Sequence, residues 1–88
     1  MSNGSNAQTA WLTEYFLRVM KLAIKYPEQR LGQRYYNVLY TMRPDLAEKI
    51  KGTDTDPFYA SKPDDERIKR FIEFVVEHAN RGDDNGNY

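Results

Sequence analysis

Cysteine is absent from the 88 residues, which excludes disulfides and thiolate metal sites and leaves a small chain without a covalent staple. Histidine occurs once, as His78, with no Cys or second His at ligand spacing, so no zinc site or imidazole-based catalysis is expected. No stretch approaches the roughly 18 apolar residues of a membrane span, and MSNGSNAQTA has neither the basic region nor the apolar run of a signal peptide. A soluble, cytoplasmic protein is therefore the expectation. A glycine-rich phosphate loop, a nucleophile elbow and a Ser-His-acid arrangement are all lacking. Asp54, Asp56, Asp64 and Asp65 lack the loop glycine and closing Glu of a calcium hand, and turn formation and helix-dipole complementation account for them better. No enzyme, cofactor or metal is expected from this inventory.

What is present is an ordinary globular balance of 40% hydrophobic and 30% charged residues, enough for one domain with one core. Seven Tyr, four Phe and one Trp predict an aromatic core in which phenols need polar partners. Net charge is zero but uneven. Residues 1–43 carry six Arg or Lys against two Glu, and residues 44–88 carry seven against eleven acids. A basic half can attract nucleic acid, though the acidic half blunts long-range steering; head-to-tail self-association accounts for the asymmetry equally well, and solvated faces that need no partner are the preferred reading.

Periodicity predicts an all-α domain over residues 9–81, with three longer helices and one short one between polar tails at 1–8 and 82–88. Trp11, Leu12, Tyr15, Phe16, Val19, Met20, Ala23 and Ile24 recur at three- and four-residue spacing and place helix one near 9–26. With Leu22 and Tyr26 they cover well over half of the helical wheel, more than a surface helix usually shows. Either helix one is central in the fold, or it buries a second flank, with Trp11, Met20 and Ile24, in another copy.

Pro27 stops helix one and suits the first turn of helix two, near 28–42, whose apolar face is Leu31, Tyr35, Val38, Leu39 and Met42. Gly32 inside it costs roughly 1 kcal/mol relative to Ala, so a close neighbour is expected there. Arg43-Pro44 breaks the chain and starts helix three at 44–51, with Leu46 and Ile50 buried and Gly52 as left-handed cap. Helix four, near 63–80, begins at Pro63 and buries Ile68, Phe71, Ile72, Val75, Val76 and Ala79, while Phe74 falls off this stripe.

Two constellations invite a functional reading. Lys21, Lys25, Arg30 and Arg34, interleaved with Tyr26, Tyr35 and Tyr36, offer charges for phosphates and rings for stacking, as a nucleic-acid surface needs. Arg30, Gln33, Asn37 and Tyr40 share one helix stripe and present a guanidinium fork, two amides and a phenol. That stripe can take a partner's backbone or a small, nucleotide-like anion, or it can hold down the loop of Asp56, Pro57, Phe58 and Tyr59. Loop docking is preferred, because a loop of about ten residues has many backbone groups to satisfy and needs fixing points. Phe58 is the expected apolar anchor, at about 3–5 kcal/mol for Phe58→Ala, with Gln33 or Asn37 supplying polar contacts.

Arg30-Leu31-Gly32-Gln33, Asn37-Val38-Leu39, Arg43-Pro44-Asp45-Leu46 and Asp56-Pro57-Phe58-Tyr59 resemble a group of short bacteriophage-encoded proteins with an R-x-G-Q, N-x-L, R-P, D-P-F pattern. The resemblance covers about the middle third of the chain. It implies a phage accessory protein in the infected bacterium's cytoplasm and carries no activity or site residues with it. A non-enzymatic, self-associating module that binds and modulates a host protein is the resulting expectation, with nucleic-acid binding and anion capture as alternatives.

Overall fold

Tyr26 and Pro27 end the first helix in the computed structural model, which describes residues 3–81 and the side chains of residues 10–79. The chain is all-α: α1 (Asn3–Lys25), α2 (Leu31–Met42), α3 (Pro44–Ile50) and α4 (Glu66–Arg81), with no strand among the described residues. Helix α1 starts at Asn3 rather than near Thr9, so residues 3–8 are helical where a tail was expected. Once a turn exists, each added residue contributes one hydrogen bond, and Ala7, Gln8 and Ala10 favour that extension. Residues 1, 2 and 82–88, including Gly82 as expected helix stop, lie outside the described residues.

Both proline-led starts are shifted. Pro27 sits in a turn closed by the Gln29 N–H donating to Tyr26 O at 3.1 Å, and α2 begins only after Arg30, whose extended backbone (φ −67°, ψ 154°) makes it the N-cap. The Gln33 side-chain carbonyl accepts the Arg30 N–H at 3.4 Å, one half of a capping box; arginine has no acceptor with which to complete the other. At α4, Pro63 likewise precedes the helix, because Asp65 is the better cap. Its carboxylate accepts the Arg67 N–H at 2.8 Å and pairs with the Arg67 guanidinium, which holds the carboxyl down at about 2.

Between α2 and α3 only Arg43 intervenes. Its backbone, φ −141° and ψ 77°, is forced out of the helical region by Pro44, and Pro44 then occupies the first turn of α3. Leu46, Ala47 and Ile50 are buried, and Gly52 takes the left-handed conformation (φ +76°) that lets the chain leave α3.

The core is aromatic at its centre. Tyr15 and Phe71 are fully enclosed, with Leu39, Val75, Val38, Leu46 and Ile50 around them. Tyr15 stacks on Trp11 and on Tyr35 at 5.6 and 6.5 Å and meets Phe16 edge-on at 5.1 Å, while Phe71 lies 5.7 Å from Tyr35. The Tyr15 hydroxyl donates to the Tyr35 carbonyl at 2.7 Å, so the buried phenol has its partner. Helix α1 packs on α2 and α4 along one flank and is not surrounded. Phe74, expected off the α4 stripe, instead packs partly against the core and lies 4.3 Å from the His78 ring.

Candidate interaction surfaces

The loop of residues 51–65 is held on α2 by backbone. The Gly32 N–H donates to Ala60 O at 2.9 Å, and Ala60 N–H closes a turn onto Pro57 O, also at 2.9 Å. A side chain on Gly32 would overlap the Pro57 carbonyl, with its carbon 2.7 Å and Ala60 O 2.9 Å from the added Cβ. This is the close neighbour that a glycine inside a helix implied. Pro57 and Ala60 are the enclosed members of the loop.

Phe58, the expected anchor, is only half-buried, and Tyr59 is 72% exposed. The reason is geometric: with the backbone at Pro57 and Ala60 pressed onto Gly32, the two side chains between them, Phe58 and Tyr59, splay along the surface. Phe58 meets Tyr36 edge-on at 5.7 Å and Tyr59 at 5.1 Å. Phe58→Ala is accordingly expected to cost about 1–2 kcal/mol in urea denaturation, less than the ~3–5 of an enclosed ring.

Arg30 makes the polar contact to the loop. Its Nε donates to Phe58 O at 3.3 Å, and its guanidinium lies 5.5 Å from the Phe58 ring centre and 5.2 Å from that of Tyr59. Asp56 shapes the loop from within, accepting the Gly52 N–H at 2.8 Å and the Phe58 N–H at 3.0 Å. Gln33 caps α2 instead of reaching the loop. Asn37 lines an open depression between α1 and α2, together with Arg18, Leu22, Gln29, Val38 and Thr41. Tyr40, half exposed, stacks on Tyr36 at 6.4 Å. The stripe read from the helical wheel is thus divided among loop docking, capping, a depression and an aromatic surface, and its polar groups do not converge on one point.

The basic constellation is also divided. Lys21 and Lys25 are exposed, Lys25 lying 5.7 Å from the ring centre of Tyr26, itself 40% exposed. Arg34 turns inward and donates to Gln29 O, and its buried Nε and the buried Gln29 Oε1 have no hydrogen-bond partner. Tyr35 belongs to the core, and the Tyr36 hydroxyl donates to Ala47 O at 3.3 Å.

On α1 the inner flank is Tyr15 and Val19, with Trp11 half-buried beside them. The outer flank carries Leu17, Met20 and Ile24, 44%, 61% and 81% exposed. Trp11, grouped with Met20 and Ile24 from the sequence, belongs to the intrachain ring cluster, and Leu17 takes its place on the exposed stripe. Leu17 was legible in principle: it lies three residues before Met20 and seven before Ile24. Beside this stripe, Glu14 accepts from Arg18 at 2.7 Å, an interaction that holds the Glu14 carboxyl below its ordinary value.

Among the described residues no group of three or more His, Cys, Asp and Glu is placed to hold a metal ion, and no helix is long and apolar enough to cross a membrane. Compared with known protein families, curated proteins and solved structures, the chain matches none.

Proposed function

We propose that the chain is a non-enzymatic interaction module that pairs with a second copy of itself through the outer flank of α1. In keeping with the phage resemblance, it binds and modulates a host protein in the cytoplasm of the infected bacterium. The observation that carries the reading is the exposed Leu17, Met20 and Ile24 stripe at i, i+3 and i+7. A stripe on one straight helix is self-complementary about a two-fold axis, as a symmetric dimer requires. Antiparallel pairing centred near Met20 brings Glu14 of one copy towards Lys25 of the other, an attraction set against the approach of Arg18 to the other copy's Lys21. Small domains gain proportionally most from such burial.

Sedimentation of the wild-type chain at micromolar concentration is expected to show a dimer. Ile24→Asp should weaken it at least about tenfold, roughly 1.4 kcal/mol, with the helical circular dichroism unchanged because Ile24 lies outside the core. A wild-type monomer at high concentration would overturn the pairing.

Nucleic-acid binding is the second reading, favoured by one observation, the exposed Lys21 and Lys25 beside the partly exposed Tyr26. It requires DNA or RNA affinity that falls steeply with salt and is lost in Lys21→Glu.

A further inference from the structure

Tyr40, Tyr36, Phe58 and Tyr59 form a continuous ladder of rings across α2 and the docked loop, with successive centres 6.4, 5.7 and 5.1 Å apart. Its two ends are open to solvent, Tyr40 at 50% and Tyr59 at 72%. The first pair is near parallel at 19°, and the next two meet at 82° and 70°, so the surface alternates ring faces and ring edges instead of presenting one flat plate. None of these rings is in the central core, and no residue of α1 belongs to the ladder, which separates it from the proposed pairing surface.

The charges around the ladder are polar in the directional sense. At the Tyr59 end lies the Arg30 guanidinium, over both Phe58 and Tyr59. On the other side lie Asp56, whose carboxylate accepts the Phe58 N–H at 3.0 Å, and the exposed Glu48, next to Ala47, whose carbonyl accepts the Tyr36 hydroxyl at 3.3 Å. Burial pushes the Tyr36 phenol up, and these two carboxylates push it further.

We propose that this ladder is a docking site for a proline-rich segment of a protein partner, with a basic side chain of that segment seated beside Glu48 and Asp56. Three features select this occupant. Ridged aromatic surfaces take the rings of a polyproline II strand, which is already ordered and so loses little entropy on binding. Such a strand has three residues per turn and rises about 3.1 Å per residue, so one of its faces returns about every 9 Å, within the span of the four rings. Its unpaired carbonyls are acceptors for the phenol of Tyr40 or Tyr59 and for Arg30, while a basic residue complements the acidic side of the ladder. Single-stranded nucleic acid also stacks on rings, but its phosphates would meet Glu48 and Asp56.

The test is fluorescence anisotropy of a labelled ten-residue proline-rich peptide carrying one arginine, against the intact chain. Saturable binding is expected. It should weaken at least about fivefold with Tyr40→Ala and with Tyr59→Ala, and likewise when the peptide's arginine is replaced by glutamate. Glu48→Arg should reverse the preference between the two peptides. The substituted side chains are exposed, and circular dichroism of each variant checks that it folds. No binding of either peptide overturns the proposal, as does equal affinity for both, an affinity unmoved by the tyrosine substitutions, or tighter binding of oligothymidylate. Sedimentation is a separate readout, so failure here leaves the pairing through α1 to stand or fall by itself.

Discussion

Gly32→Ala is expected to destabilise the chain by about 3 kcal/mol or more, although alanine is the better helix former by roughly 1 kcal/mol. The added Cβ would occupy the position of the Pro57 carbonyl and press on Ala60 O, both backbone atoms that cannot rotate aside as a side-chain tip can. Relief requires the loop to lift from α2. That breaks the Gly32 to Ala60 hydrogen bond, uncovers the enclosed Pro57 and Ala60, and moves Phe58 off Tyr36 and Arg30. For a domain of this size the loss corresponds to a fall in Tm of about 12–24 °C. A melting temperature within a few degrees of wild type would mean that the loop is not held against Gly32. Arg30→Ala should give a smaller loss, about 1–2 kcal/mol, because one charged donor and its ring contacts are removed while the backbone clamp stays.

The same clamp explains why parts of the fold were legible in the sequence and others were not. Helix existence followed from periodicity, and the core faces of α1, α2 and α4 were readable because Tyr15, Val19, Leu39, Phe71 and Val75 repeat at helical spacing. Helix starts were harder. Pro27 and Pro63 are both competent first-turn residues, but Gln33 and Asp65 supply a hydrogen-bond acceptor, and the helix begins where an orphan N–H finds one. The loop was harder still. Gly32 announced a close neighbour without naming it, and the neighbour is backbone. Composition pointed to Phe58 as the largest apolar group, whereas closure of the loop put Pro57 and Ala60 inside. The short segments singled out in the sequence meet at this place: Arg30 and Gly32 from one, Pro57 and Phe58 from another, with Val38, Leu39 and Leu46 in the core beneath. Loop docking and packing account for Arg30, Gly32, Val38, Leu39, Leu46, Pro57 and Phe58 of them. The proposed pairing surface lies on other residues, Leu17, Met20 and Ile24 on α1, where a helical wheel cannot tell an unused apolar position from a covered one, whereas the proposed ladder shares Arg30, Asp56, Phe58 and Tyr59 with these segments and adds Tyr36, Tyr40 and Glu48.

Tyr15→Ala is expected to be the other large loss, about 3–5 kcal/mol, because the ring is fully enclosed and touches Trp11, Phe16, Tyr35 and Phe71. Tyr15→Phe separates the ring from its hydroxyl. It keeps the packing and removes only the donor to Tyr35 O, so its cost at neutral pH should be about 0.5–1.5 kcal/mol. Alkaline pH gives the pair a second readout. Burial pushes the Tyr15 phenol far above its ordinary value, with the neighbouring Tyr35 adding to the shift, so the folded chain keeps this proton where the unfolded chain has lost it. A group raised in the folded state stabilises fully below its unfolded value near 10, and that stabilisation is lost as pH rises beyond it. Wild-type stability should therefore fall above about pH 10 by an additional ~1.4 kcal/mol per pH unit from Tyr15 alone. Tyr15→Phe should lack that slope, so the variant, weaker at pH 7, is expected to overtake the wild type within one or two units above pH 10. Urea denaturation of both chains across this range decides it. Parallel curves would show that Tyr15 ionises as an exposed phenol does, and would remove it from the centre of the core.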